Sequence, residues 1–400
     1  MPVVSILPRT PSRKFALFDR GFRPFFLLAM LYAAVSILLW GYTWVHGEVL
    51  AAPGVIPTYW HAHEMIFGFA GAVIAGFLLT AVTNWTGRTT ATGAALVALS
   101  ALWLAGRILP YAGTQAAFIA GGISDVLFSL GLFITTARPV LLERQWVQAG
   151  IISKLLLLAL CNVAFYVGAL GGLDDGGRTG LYAAFYLVLA LVFTLARRVV
   201  PFFIQGAVGS GFEPVNHRWV DVASLLLFVV FAVTELIAPL STIGGFFASA
   251  LFLIHAYRLL GWHHPDIWRQ PLLWILFLAY LWLVLAFALH ALAVLAGSNP
   301  YLALHAFAFG GIGMVTIGMM TRVALGHTGR NVFTPPGTLR WIFALLGIGA
   351  VTRVPLPMFI PGLYVWWISV SMLLWAVAFA WVFWLYLPML LAPRVDGAPG

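Results

Sequence analysis

Residues 271–296 read PLLWILFLAYLWLVLAFALHALAVLA, a stretch without a single Asp, Glu, Lys or Arg. An α-helix needs about 20 consecutive apolar residues to cross a bilayer, and this stretch is long enough. In lipid, only helices and closed barrels satisfy every backbone hydrogen bond, and barrel strands would alternate apolar with polar residues. The stretch therefore predicts a transmembrane helix.

Comparable apolar runs recur along the whole chain, separated by Gly, Pro, Asn or charged residues. The predicted spans are residues 25–45, 60–83, 93–110, 116–136, 151–170, 180–197, 220–238, 242–261, 271–296, 301–321, 339–354 and 361–387. The predicted fold class is all-α, a polytopic integral membrane protein with about twelve transmembrane helices. No convincing sequence repeat is recognised, and six-plus-six symmetry stays an open alternative.

Composition agrees with this interpretation. The chain is 62% hydrophobic and 8% charged, with a mean hydropathy of +1.00, whereas soluble domains carry roughly 25% charged residues. The net charge of +9 comes from basic residues that stand singly or in small groups, so a lipid bilayer is a better partner than nucleic acid. Cys161 is the only cysteine, which excludes an internal disulfide, a thiolate metal cluster and a covalently attached c-type haem.

The basic residues also predict the orientation. With the N-terminus inside, 18 of the 21 Lys and Arg fall on the cytoplasmic side, and only Arg107, Arg178 and Arg353 fall on the other. We therefore expect both termini in the cytoplasm of a bacterial-type inner membrane. The expected organisation is a cytoplasmic segment at 1–24, one transmembrane domain at 25–390 and a cytoplasmic tail at 391–400.

Ionisable side chains within the spans gather near the outer helix ends. Each costs about 2.5–3.5 kcal/mol on insertion scales, so such residues tend to be paired and functional. Five spans contribute charged side chains to this layer, and four histidines share it: Glu64, Arg107, Asp125, Glu235 and Arg353, with His61, His63, His290 and His305. The sequence predicts one polar shell in the outer half of the membrane, stabilised by a bound metal centre.

The second span carries the densest part of this layer. On a regular α-helix His61 and Glu64 share one stripe with Gly68, Ala72 and Gly76, where small residues allow a neighbouring helix to approach. His63 lies about 200° from His61, so the two would bind one centre only if the helix began irregularly. Two separate centres, or one ligand with one hydrogen-bonding partner, fit equally well.

The tenth span places His305 at the head of a glycine-rich face that can lie close to a flat cofactor. Imidazole suits haem iron and copper, which makes His61, His63 and His305 the candidate ligands. Arg107 and Arg353 can pair with haem propionates or neutralise Glu64 and Asp125. For a single buried histidine such as His290, a hydrogen bond between helices is the simpler interpretation.

Several motifs resemble the NnrS family of bacterial haem and copper membrane proteins, and the resemblance runs from end to end. The most specific is His-x-His-Glu-Met at residues 61–65. The motifs are Phe22-Arg23-Pro24-Phe25-Phe26, Trp60-His61-Ala62-His63-Glu64-Met65 with Gly68-Phe69, residues 75–81 and 84–87, Leu102-Trp103-Leu104-Ala105-Gly106-Arg107, residues 196–203, His305 with its glycines, and residues 321–330.

The resemblance implies a twelve-helix inner-membrane protein that binds haem b and copper and is associated with nitric oxide, nitrosative stress tolerance and denitrification. It also implies that His61, His63 and His305 are ligand candidates, with Glu64, Arg107 and Arg353 as their partners at the cofactor. Asp125 and His290 are expected around the same site from their positions in the spans. One position departs from the family, because similar proteins commonly have His where this chain has Phe277.

Three functions are compatible with these residues. The first is a haem- and copper-binding protein that binds or processes nitric oxide at a site in the outer half of the bilayer. The second is a transporter of copper or a small molecule that uses an outer His/Glu site, although such a carrier would also need polar residues near the midplane. A catalytic subunit like the haem-copper oxidases fits least, because the adjacent pair His263-His264 falls in a loop.

Overall fold

The computed structural model describes residues 15–47, 50–51, 54–209 and 211–398, and within these ranges the chain contains helices and no strand. Twelve helices are long and apolar enough to cross a membrane, which confirms the predicted all-α, multi-pass architecture. We number them in chain order: α1 Phe22–His46, α2 Pro57–Thr86, α3 Gly93–Ala112, α4 Gln115–Leu142, α5 Trp146–Ala169, α6 Gly176–Val208, α7 Arg218–Ile237, α8 Thr242–Trp262, α9 Pro271–Ala296, α10 Pro300–His327, α11 Leu339–Phe359 and α12 Pro361–Leu391.

Local sequence signals set several helix ends. The side chain of Thr114 accepts a hydrogen bond from the Ala117 amide at the start of α4, and Ser241 does the same for Gly244 at the start of α8. Gly87 ends α2 in a left-handed conformation, with φ of 71°, and its amide donates to the Thr83 carbonyl. These caps satisfy backbone groups that a helix end leaves unpaired.

Helices α2, α9 and α10 are the most buried of the twelve, and α2 and α10 contact each other and α6. Each helix packs against the next one along the chain, and α12 packs against α1. Large apolar side chains are exposed on the outer helices, among them Leu226 of α7, Phe246 of α8 and Trp366 of α12. Such a surface suits lipid and is uncommon in soluble proteins.

The two most unusual elements are π-helical segments inside α2 and α10. They span Glu64–Ala70 and Ala306–Gly313, so each begins directly after a histidine, His63 or His305. A π-helical segment shifts the register of the side chains and is frequent at functional sites. The single stripe from His61 to Gly76 predicted for a regular α-helix is therefore interrupted, and His63 and Glu64 are brought onto the same buried network.

The structure corrects one boundary and extends several others. Helix α6 was expected to end near residue 197, but it continues through Pro201 to Val208. Neighbouring helices in a membrane bundle allow such prolines to remain helical. Of the predicted terminal segments, residues 1–14 and 399–400 lie outside the described residues. Between the described parts of the two segments, the Ala16 amide donates a hydrogen bond to the Leu391 carbonyl. We call the end of the bundle where α2 and α10 begin the His61 end.

Candidate functional site

A buried ion-pair network joins three neighbouring helices at the His61 end. Arg107 of α3 lies between Asp125 of α4 and Glu64 of α2, with distances of 2.5 Å from Nη2 to Asp125 Oδ2 and 3.3 Å from Nη1 to Glu64 Oε1. All three side chains are buried. Gly68 makes room for this packing, since a Cβ there would lie 2.9 Å from Arg107 Nη1. One guanidinium cannot neutralise two ionised carboxylates, so the network favours holding a proton.

His63 completes the network. Its Nδ1 lies 2.9 Å from Glu64 Oε1, and its Nε2 lies 3.0 Å from Asn162 Oδ1. The Asn162 amide nitrogen donates to Asp125 Oδ2 at 3.0 Å, which fixes its oxygen toward His63 and requires Nε2 to carry hydrogen. A proton must then lie between Nδ1 and Glu64, on one group or the other. The His63 ring is fully buried and stacks on Trp60 and Phe165.

Three further polar side chains belong to this network and were not predicted from the sequence. The Tyr32 hydroxyl donates to Glu64 Oε2, the Tyr166 hydroxyl lies 3.4 Å from Asp125 Oδ2, and Asn162 bridges His63 to Asp125. Asn162 could have been found as a lone amide in an apolar span. The tyrosines gave no comparable signal, because tyrosine is common in membrane helices.

A second group lies at the same end of the bundle. His305 Nδ1 is 2.8 Å from the Tyr301 carbonyl oxygen, so it carries hydrogen and donates, and Nε2 accepts from Arg353 Nη2 at 2.7 Å. His61 stacks on Trp40, with ring centroids 4.6 Å apart, and lies within electrostatic range of His305 and Arg353. These three side chains are only partly buried, unlike those of the His63 network.

A small cavity separates His61 from Glu64. It has a volume of about 30 Å³ and is lined by side chains of α1, α2 and α3, including Ser36, Trp40 and Tyr111. A cavity needs at least about 10–15 Å³ to hold one water molecule. The space is therefore large enough for a water molecule beside a carboxyl group and an imidazole.

The donor set can be tested against the implied haem and copper. Within the described residues, no three His, Cys, Asp or Glu side chains are arranged to hold one metal ion, so His61, His63 and His305 do not form one centre. His305 donates its Nδ1–H to the Tyr301 carbonyl, so Nε2 is the atom that would bind a metal, and the Arg353 guanidinium that donates to Nε2 would then have to move aside. Both ring nitrogens of His63 are occupied in this arrangement. The residues suit haem iron with one or two histidines better than a three-histidine copper site.

The predicted single polar shell is instead divided into separate groups. Glu235 and His290 form their own buried pair, with His290 Nε2 3.2 Å from Glu235 Oε1, and the Leu240 amide donates to Glu235. His290 is therefore tied to Glu235 rather than to the other histidines. Phe277, the position that departs from the family pattern, packs on His263 and Trp268 at the opposite end of the bundle.

A buried polar group that the sequence analysis did not assemble lies toward the other end. His255 Nδ1 is 2.6 Å from the Tyr280 hydroxyl, and Arg258 contacts both Tyr280 and Asp221. His255 is stacked between Phe193 and Phe287. Polar chemistry is thus present in both halves of the bundle.

Comparison with known proteins agrees with the sequence motifs. No individual curated protein matches the chain significantly. The family model described as NnrS protein matches residues 16–394, which include all twelve helices and every side chain of the groups above. The chain therefore belongs to the NnrS family.

Proposed function

We propose that this protein is a haem- and copper-binding protein of the bacterial inner membrane that binds or processes nitric oxide and supports nitrosative stress tolerance or denitrification. Membership of the NnrS family supports a role connected with nitric oxide. The observation that carries the proposal is the placement of two partly exposed histidines, His61 and His305, beside a sealed network that holds a proton.

Each group has a distinct part in this proposal. His305 and His61 are the residues that would hold iron or copper, and a bound haem would supply the iron that takes nitric oxide. The His63–Glu64 pair holds a proton at Nδ1 or Oε1, and Asn162 and Arg107 fix its position. The cavity between His61 and Glu64 gives a small molecule access to that proton. Nitric oxide partitions into membranes and needs no polar entry channel.

The proposal is tested by purifying the protein in detergent and recording its absorption spectrum with metal analysis. We expect a b-type haem in stoichiometric amount, and reduced protein should change its spectrum when nitric oxide is added. His61→Ala and His305→Ala should each lower haem or copper content. His63→Ala should disturb the proton-holding network as well, because both of its nitrogens are hydrogen-bonded.

His217→Ala is the matched control, since this exposed histidine precedes α7 in a loop and packs on Tyr257. It should retain the cofactor content of the unaltered protein. Full cofactor in all three variants, or purified protein that contains neither haem nor copper, would contradict the proposal.

Transport of copper or a small molecule remains the second candidate, and the buried His255–Tyr280–Arg258 group favours it. A carrier needs polar residues in both halves of the bundle, and this group supplies them beyond the His61 end. Copper uptake into proteoliposomes made from haem-free protein would support transport. Stoichiometric haem without uptake would argue against it.

A further inference from the structure

Helices α2 and α10 are related by an internal repeat. Residues 63–88 align with residues 305–330 without a gap, and nine pairs are identical: His63 with His305, Phe67 with Phe309, Gly68 with Gly310, Gly71 with Gly313, Val73 with Val315, Gly76 with Gly318, Thr86 with Thr328, Gly87 with Gly329 and Arg88 with Arg330. Seven helices, α3 to α9, separate the two copies. This repeat, which was not recognised from the sequence, is therefore not the six-plus-six symmetry considered there.

The structure supports the same relation independently of residue identity. A π-helical segment follows His63 and His305 alike, and each helix is followed within two residues by a glycine with positive φ, 71° for Gly87 and 78° for Gly329. The next helix in each case brings an arginine to the histidine end, Arg107 from α3 and Arg353 from α11. The His305–Arg353 group is therefore the counterpart of the His63–Arg107 network.

The two groups differ in charge. Arg107 has two carboxylates, whereas the position of Glu64 is Ala306 in the second copy, and residues 271–391, which form α9 to α12, contain no Asp or Glu. Arg353 Nη1 is buried and has no hydrogen-bond or ion-pair partner among the described residues. Tyr364 approaches the guanidinium, but a neutral phenol supplies no counter-charge.

Burying a guanidinium nitrogen such as Arg353 Nη1 without an anion is costly, and planar carboxylates and oxyanions are the preferred partners of this group. The second group is also more accessible than the first, because His61, His305 and Arg353 are only partly buried while His63, Glu64 and Asp125 are sealed. A missing internal carboxylate together with open access is the arrangement expected where the negative charge arrives with a ligand.

We infer that Arg353 and His305, with His61 beside them, form a binding site for an anionic oxygen group, either a ligand carboxylate or a small oxyanion. The guanidinium supplies charge and N–H donors; its Nη1 has no partner among the described residues, and His305 holds the group in place through Nη2. The carboxylate could be a propionate of a bound haem, in which case the inference rests on the proposed function. A free anion such as nitrite requires no haem.

The test compares unaltered protein with Arg353→Gln, with Arg178→Gln as control. Arg178 begins α6 at the same end of the bundle and packs on Tyr182 outside the site. Thermal unfolding of haem-free protein is followed while sodium nitrite or sodium acetate replaces chloride at constant ionic strength. We expect a saturable rise in Tm for the unaltered protein and for Arg178→Gln, and none for Arg353→Gln.

A second arm separates the two sources of the anion. If a haem propionate occupies the site, haem-loaded protein loses its response to nitrite, and Arg353→Gln retains less than half the haem of Arg178→Gln. If a free oxyanion is the ligand, the nitrite response persists in haem-loaded protein, and haem content is unchanged. If Arg353→Gln fails to fold, Arg353→Lys takes its place in the test. This variant keeps the charge but lacks the two-pronged geometry, so it should bind nitrite at least tenfold more weakly than the unaltered protein.

The inference is overturned if haem-free protein shows no Tm response to either anion and Arg353→Gln retains as much haem as Arg178→Gln. Its failure is distinguishable from failure of the proposed function. If the protein binds neither haem nor nitric oxide but is stabilised by nitrite through Arg353, the anion site is supported and the proposed function is contradicted.

Discussion

At the scale of single residues, the His63 network shows how buried charges are held in a membrane protein. Arg107 is the shared partner of Glu64 and Asp125, so its removal leaves two carboxylates without a cation. Breaking a buried pair by deleting one partner typically costs about 3–5 kcal/mol.

Arg107→Leu should therefore unfold at a clearly lower temperature than the unaltered protein in the same detergent. Arg178→Leu, at the same end of the bundle, is the control and should melt like the unaltered protein. An Arg107→Leu variant with an unchanged melting temperature would show that the network is not a source of stability.

Asn162 is the second residue whose removal should be felt. It accepts from His63 and donates to Asp125, so Asn162→Leu leaves two buried polar groups each short of one partner, at about 1–3 kcal/mol for each. The neighbouring Cys161→Leu is the control, because Cys161 is only partly buried and makes no polar contact in the network. Equal melting temperatures for the two variants would contradict this role.

At the scale of elements, glycines explain how closely α2 packs against α1 and how closely α10 packs against α9. A Cβ at Gly68 would lie 2.6 Å from the Tyr32 ring, and one at Gly310 would lie 2.4 Å from the Trp282 ring. These are corresponding positions of the repeat, and they face α1 and α9. Close packing at equivalent places indicates that the π-helical segments are held by their neighbours.

Gly68→Ala and Gly310→Ala should each destabilise the protein by about 1–3 kcal/mol, because a methyl group must displace a packed aromatic ring. Gly206→Ala in α6 has open space at its Cβ and serves as the control. Thermal unfolding measures all three. We also expect Gly68→Ala to lower cofactor content, since Tyr32 and Arg107 both contact that position.

At the scale of the whole molecule, orientation is the clearest prediction from charge. In a variant with Cys161→Ser, a single cysteine placed by Gln115→Cys should react with a membrane-impermeant maleimide in intact spheroplasts. One placed by Thr89→Cys should react only after the membrane is permeabilised, because residue 89 lies between α2 and α3 on the Arg88 side. The opposite pattern would reverse the assigned topology.

The amino-acid sequence was sufficient for the all-α class and the twelve helices, because hydrophobic run length is a local property that lipid imposes on each span. It also identified the charged and histidine side chains at one end of the bundle. Helix boundaries were less accurate where proline stayed helical, as at Pro201 of α6.

The grouping of those side chains was decided by tertiary structure alone. Two π-helical segments changed the direction in which side chains point from α2 and α10, compared with a regular α-helix. Packing then divided the one expected polar shell into the His63, His305 and Glu235 groups. Only the fold showed that Arg107 has two carboxylates and that Arg353 has none. Partner choice depends on distances between helices far apart in the chain, and the sequence pattern of a single span does not encode them.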